Sequence, residues 1–382
     1  MQRILIESPK QFSALLQRAM HEPRIAVDLE SDGLFRYRPQ LCTLQLATSD
    51  TCAVIDTLAV AELQELRVLL GPSGPMKIIH DLSFDARLLH RYGVTLGNVF
   101  DTALAARLLG AAGTGLSTLL AERCDVQLDK ELQQHDWGKR PLQDETLGYL
   151  FEDVLHLFRL HDSLAADVER AGIMAELQVE TQYTLEQAKQ DQSAGPRPTW
   201  LRVKGAQTLP SHEQAVLRAL CELREQQAQQ DNVPPFRILH DRTLLQLAHA
   251  QPKSGAALRR GPTRLPKAAH HLIPQLLAAI ERGTLDVEAP QRDLTSLPSA
   301  PSPAERAIRR KLEKTLSTWR REEAQRRKVD AQVVLSGHGL HALAQERPTD
   351  LDQLQNIRGL GDCRISRYGD AWLALIRKEQ AE

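Results

Sequence analysis

Asp28 and Glu30 stand two residues apart at the end of the apolar run "RIAVDLE". Side chains alternate along a strand, so both carboxylates project from one face. Two charges gathered where a strand meets a core carry a desolvation cost. A divalent cation removes that cost, and Mg²⁺ favours such oxygen ligands. Taken alone, the pair reads equally as a solvated strand end running into a turn. Asp85, in "KIIHDLSFDARLLHRYG", follows a second apolar strand and falls early in a helix, where acids are common for dipole reasons. Asp81 competes with it for the same role. Tyr149 and Asp153 are four apart in "GYLFEDVLHLF" and share a helix face, with Glu152 pointing elsewhere.

The elements that must position these residues are legible in outline. Ser8-Pro9-Lys10-Gln11 is a helix start, with a capping Ser, Pro at the first helical position and Gln three residues after the cap. "RIAVDLE", "LCTLQLATS" and "CAVIDT" read as three strands in an antiparallel meander. Then "AELQELRVLLG" reads as helix, "MKIIHD" as strand, and "FDARLLHRYG" and "DTALAARLLG" as helices ending at Gly93 and Gly110. Strands first, then strands interleaved with helices, imply an α/β domain with a mixed sheet. From Thr146 the pattern is helical up to the connector "SAGPRPTWLRVKGAQTLPS". Beyond it strand signals almost vanish, and a second Pro-rich linker, "EAPQRDLTSLPSAPSP", divides the remainder.

That remainder repeats itself. Arg224, Ala228, Val233, Leu244, Leu247, Ala248 and Pro252 recur 96 residues later as Arg320, Ala324, Val329, Leu340, Leu343, Ala344 and Pro348. Each copy opens on a capping-box pattern, Ser211-x-x-Gln214 and Ser302-x-x-Glu305. The expected organisation is an α/β domain over residues 1–195 and two all-helical domains over 208–288 and 301–382.

Composition narrows the function classes. The chain of 382 residues is 42% hydrophobic and 25% charged, as in globular proteins. No apolar run nears the roughly 18–20 residues of a membrane span, and a secretory leader is not expected from "MQRILIESPK". Five scattered cysteines without a CxxC pair argue against a disulfide framework or structural zinc and fit a reducing cytoplasm. The net charge of −1 conceals a polarity: residues 1–195 carry 18 Lys/Arg against 28 Asp/Glu, and residues 196–382 carry 30 against 21. Residues 301–330 alone hold ten basic and five acidic side chains, a face suited to phosphate contact. No GxxxxGKS/T loop or G-x-S-x-G motif is present.

Asp-x-Glu on a first strand, Asp after a later strand and Tyr-x-x-x-Asp on a following helix resemble, in order and spacing, the three motifs of the DEDD exonuclease superfamily. The Tyr places the resemblance in the tyrosine subgroup, whose fold is ribonuclease H-like. "FDTALAARLLG", "GLSTLLAERCDVQLDKELQQHDWGKRPL" and "WLRVKG" are similar to stretches of the ribonuclease D family. The repeat resembles paired helicase-and-RNase-D C-terminal (HRDC) domains. Two departures stand out: bulky Leu150, Phe151 and Glu152 replace the family's usual small residues, and the first repeat lacks the Gly-rich turn of "NIRGLGDCRISRYG".

The resemblance implies a 3′→5′ exoribonuclease releasing nucleoside 5′-monophosphates by two-metal-ion hydrolysis. Asp28, Glu30, Asp85 and Asp153 would hold two divalent ions, Mg²⁺ or Mn²⁺, and Tyr149 would position the attacking water and help deprotonate it. The substrate would be RNA with a single-stranded 3′ end, typically a tRNA precursor, and the enzyme a cytoplasmic monomer. A 3′→5′ DNA exonuclease uses the same carboxylates, and a relic nuclease that only binds RNA is the non-enzymatic alternative. Near the site, Lys130, Trp137 and Arg140 suit phosphate contact and base stacking, though Trp137 reads equally as a core anchor. Leu29 and Phe84, each beside a candidate ligand, are placed to wedge against terminal bases. Gly359 and Gly361 permit close approach of backbone N–H groups to phosphate at a helix start.

Overall fold

The computed structural model describes residues 1–60, 62–129, 131–193, 198–261, 264–295 and 302–381. Met1–Glu30, Leu41–Ser193 and Pro301–Glu382 form one compact unit, and Ser31–Gln40 with Ala194–Ala300 a second.

In the first unit six strands make one sheet: β1 (Gln2–Ile6), β2 (Arg24–Ser31), β3 (Leu41–Ala47), β4 (Thr51–Asp56), β5 (Met76–Ile79) and β6 (Val99–Asp101). Their order is β1-β4-β3-β2-β5-β6. β3 and β4 pair antiparallel, Thr43 opposite Asp56 and Ala47 opposite Cys52. β1 lies parallel to β4, β2 to β5, and β5 to β6, so the sheet is mixed, as the alternation of strand and helix signals implied. β1 and β6 go beyond the sequence reading. They are short, and their strand state comes from pairing at the two edges rather than from any pattern of their own.

Period-2 alternation divides β2 between two cores. Ile25, Val27 and Leu29 join a layer with Phe12, Leu15 and Leu16 of the Pro9–Ala19 helix and Leu82 and Leu89 of the Leu82–Arg91 helix. Ala26 faces the opposite layer, with Val54, Ile78, Leu150, Val154 and Leu160. Each aliphatic side chain fully buried in these layers contributes about 1.5–3 kcal/mol. The Pro9–Ala19 helix starts as expected, the Ser8 Oγ accepting the Gln11 N–H at 3.4 Å. The bulky third-motif residues are accommodated: Leu150 and Phe151 fill the second layer, and Glu152 turns outward to pair with Arg3 at 2.6 Å and His156 at 2.9 Å.

The two helical repeats show their kinship in the backbone as well as in sequence. The long helices Ser211–Asp231 and Pro303–Arg327 end on left-handed Asn232 and Lys328, with φ 51° and 57°. The next pair, Asp241–Ala250 and Gly337–Glu346, end on left-handed Gln251 and Arg347. Arg224 and Arg320 each donate to a carbonyl fifteen residues on, Leu239 and Leu335, both at 3.0 Å. All of these equivalences keep the 96-residue offset of the sequence repeat.

The capping boxes do not repeat. Ser302 and Glu305 form one in full. At the first copy the helix begins one residue earlier than the pattern implied, with Pro210 as cap, and Gln214 instead donates to the carbonyls of Gln207 and Leu209. Parts of both Pro-containing connectors are folded within the second unit, where the buried Trp200 indole donates to Asp293 at 2.7 Å. The Ser31–Gln40 segment is held there too, through Tyr37 to Glu225 at 2.8 Å and Arg237 stacked over Phe35 at 4.6 Å.

Candidate active site

Alternation continues past Ala26, so Asp28 and Glu30 emerge on its face of the sheet, toward the layer that contains the Asp144–Leu155 helix. Asp153 lies on that helix. Asp28, Glu30 and Asp153 each offer a carboxylate oxygen, and the three oxygens lie within 4.8 Å of one another. Asp85 stands in the first turn of the Leu82–Arg91 helix and is buried. Its negative charge acts on Glu30, and that of Asp28 acts on it. Asp81, the competing acid, is exposed and sits outside the helix, in the left-handed region at φ 62°.

Electrostatics bind the four acids into one centre. Burial, followed by the charges of Asp28, Asp153 and Asp85, pushes Glu30 up to about 10. Burial and then Asp28 push Asp153 up to about 9, and burial pushes Asp28 up to about 7. Asp85 is raised well above the usual carboxylate range by burial, then by Asp28. The Oδ2 atoms of Asp85 and Asp153 are buried and lack any hydrogen-bond partner. Such a set either retains protons or surrounds cations. Oxygen-only donors, close spacing and orphaned carboxylate atoms fit divalent ions of the Mg²⁺ kind. Tyr149 shares the chamber, its phenol pKa raised by burial first and then by Asp153, Glu30 and Asp28.

Asp101 is a positioning residue that sequence reasoning missed. Its Oδ1 accepts the N–H groups of Asp81 at 3.1 Å, Ala103 at 2.8 Å and Leu104 at 3.1 Å, and its Oδ2 accepts that of Leu82 at 3.0 Å. One buried carboxylate thus caps its own helix and pins the left-handed entry to the helix that carries Asp85. The available signal was an N-capping Asp at the head of "DTALAARLLG".

Most of the proposed substrate contacts are spent elsewhere. Trp137 is 2% exposed and packs its ring 5.7 Å from Tyr149, so it backs the tyrosine and offers no face to a base. Arg140 grips Asp56 with two nitrogens, at 2.5 and 2.8 Å, and donates to the carbonyls of Cys42, Trp137 and Lys139, which removes it from phosphate contact. Leu29 points into the opposite core layer, because alternation separates it from Asp28 and Glu30. Phe84, 47% exposed beside Asp85, alone keeps a free apolar face. Lys130 lies outside the described residues.

Gly359 and Gly361 have φ of 77° and 76°, but their turn meets protein. A Cβ on Gly361 would come within 2.4 Å of Val179, and one on Gly359 within 2.6 Å of Tyr183. The Gly turn of the second repeat therefore seats on the Met174–Ser193 helix. Arg364, fully buried, pairs there with Glu180 at 2.8 Å, Arg367 pairs with Glu176 at 3.0 Å, and His338 stacks on Tyr183 with centroids 3.5 Å apart.

Residues 4–169 match the family model of a 3′-5′ exonuclease, and residues 213–280 and 309–376 each match the HRDC domain. With the acidic chamber on a mixed sheet, these define a 3′→5′ exonuclease of the kind that works with divalent metal. The chain is 30% identical to ribonuclease D of Gluconacetobacter diazotrophicus over 97% of its length and 92% of that protein. It is 29% identical to ribonuclease D of Granulibacter bethesdensis over 93% of its length and 89% of that protein. The solved ribonuclease D of Escherichia coli, 21% identical, shares the fold over 99% of both chains with a TM-score of 0.71. The chain belongs to the ribonuclease D family, and is a 3′→5′ exoribonuclease. No helix among the described residues is long and apolar enough to cross a membrane.

Proposed function

We propose that Asp28, Glu30, Asp85 and Asp153 hold two divalent ions, Mg²⁺ or Mn²⁺, and that the enzyme trims single-stranded 3′ ends of structured RNAs such as tRNA precursors. The observation that carries this reading is the trio of carboxylate oxygens within 4.8 Å, beside two buried carboxylate oxygens without partners. Bound divalent cations supply the positive charge that stabilises the attacking and leaving oxygens of an in-line displacement. The chain's own residues do the rest. The four carboxylates set where that charge sits. Tyr149, backed by Trp137, uses its oxygen to orient the incoming water. Phe84 packs against the terminal base, and the product leaves as a nucleoside 5′-monophosphate. Residues 1–195 act as the catalytic domain, and 208–288 and 301–382 as accessory helical domains of a cytoplasmic monomer.

The test uses a 3′-labelled RNA and its DNA counterpart with Mg²⁺ or Mn²⁺ titrated in. Stepwise release of labelled monophosphate from RNA by the wild-type protein, and none by Asp28→Ala, is the expected result. Equal shortening of both polymers would point to a DNA-competent exonuclease. Unchanged metal-dependent shortening by Asp28→Ala would remove the assigned site.

A further inference from the structure

The two repeats carry their charge very differently. Residues 242–272 of the first hold six Lys/Arg and no Asp or Glu, whereas the equivalent 338–368 of the second hold four of each. The second repeat's Gly turn is already seated on Val179 and Tyr183. Six of the ten basic side chains in 301–330 are also engaged within their own repeat, Arg321 among them through the Ser317 carbonyl at 3.2 Å. Arg309 pairs with Glu313, Lys311 with Glu379 and Arg326 with Glu323, while Arg327 donates to Tyr368 and Arg320 to a carbonyl.

In the first repeat Arg259, Arg260, Arg264 and Lys267 are exposed, and among the described residues their side chains have no hydrogen-bond or ion-pair partner. Arg259, Arg264, Lys267 and His270 wall a cavity of about 410 Å³. The buried Nε2 of His270 has no hydrogen-bond partner. Pro266 is shared with a second cavity of about 270 Å³, lined by Phe236, His240 and His271. Phe236 is 44% exposed. Among the described residues no carboxylate lines either cavity.

We propose that these adjoining cavities bind single-stranded RNA, with phosphates on Arg259, Arg264 and Lys267 and a base against Phe236. The proposal rests on the exoribonuclease reading and deepens it, because it makes the first repeat the grip on substrate and the second a docking module. Cations with no competing acid leave an unmet demand for anion, and an aromatic face beside them suits a splayed nucleotide better than a duplex.

The experiment measures fluorescence anisotropy of a 5′-labelled single-stranded RNA on the full chain in EDTA, where nothing is hydrolysed. The triple variant Arg259→Glu, Arg264→Glu, Lys267→Glu is expected to weaken binding about tenfold or more. Its log K against log salt slope should be shallower by about two, as three phosphate contacts at about 0.7 each require. Phe236→Ala should weaken binding with the slope unchanged. Arg306→Glu, Arg310→Glu, Lys314→Glu in the second repeat should stay within twofold. Unchanged binding by the first triple variant, or an equal loss from the second, overturns the proposal, with melting temperatures confirming that each variant is folded. Hydrolysis of a short RNA by the wild-type protein with Mg²⁺ is scored separately. Its failure would strike the exoribonuclease reading and leave the binding result standing on its own.

Discussion

The nuclease chamber and residues 242–272 of the first helical repeat both gather charge of one sign, at opposite depths. Four carboxylates of the chamber are drawn into low dielectric, where their repulsion is felt in full and two oxygens find no donor. Arg259, Arg260, Arg264 and Lys267 of the first repeat stay in water, where repulsion is screened within about 10 Å at ordinary salt. The buried set stores unfavourable energy that bound cations relieve. The exposed set costs the fold almost nothing and acts only when a polyanion arrives. The second repeat supplies a third case, the buried cation Arg364, neutralised inside the protein by Glu180.

Depth therefore predicts the sign and size of each substitution. Asp153→Asn should lower RNA hydrolysis by about a thousandfold, since several kcal/mol of charge stabilisation are lost at about 1.4 kcal/mol per tenfold. The same variant should melt higher than wild type in EDTA. Its pH dependence follows from the same cause. The raised carboxyls keep protons in the fold that the unfolded chain has released, so metal-free stability falls as pH rises from the unfolded values of 3.8 and 4.5 toward about 7, 9 and 10. Melting in EDTA from pH 5 to 9 should show that decline in wild type and a shallower one in Asp153→Asn; parallel curves would contradict a shared buried centre.

Arg364→Ala strands Glu180 beneath the second repeat and should cost about 3–5 kcal/mol in denaturant unfolding. Asp101→Ala frees four backbone donors; about 1–3 kcal/mol of stability and roughly tenfold in kcat should go, with KM little changed. A kcat loss no larger than the stability loss accounts for would reduce Asp101 to a plain helix cap. Arg260→Ala, exposed and unpaired, should stay within about 0.5 kcal/mol. A larger effect would break the contrast between surface and buried cations.

The parts of the site that were legible in advance are those set by local period. Asp28 and Glu30 share a face because strands alternate, and Tyr149 and Asp153 because helices turn. The repeat was legible because its offset is gap-free, and the backbone reproduces it down to the left-handed cap residues. Side-chain direction across elements was not legible. Trp137, Arg140 and Leu29 stand near candidate ligands in the chain, yet packing assigns the first to the core beneath Tyr149, the second to Asp56 and the third to the far side of the sheet. β1 and β6 were hidden because short edge strands owe their state to partners.

The sequence by itself determined the four acids, their order, the mixed α/β class and the duplicated helical region, because these depend on residue type and local periodicity. Only the tertiary structure decided which charges are buried together and which remain open to solvent. It turned the Gly turn of the second repeat into a seat on the Met174–Ser193 helix, and it left Arg259, Arg260, Arg264 and Lys267 of the first repeat without partners among the described residues. Desolvation and Coulomb energy depend on distance in space, and spacing along a chain does not report it.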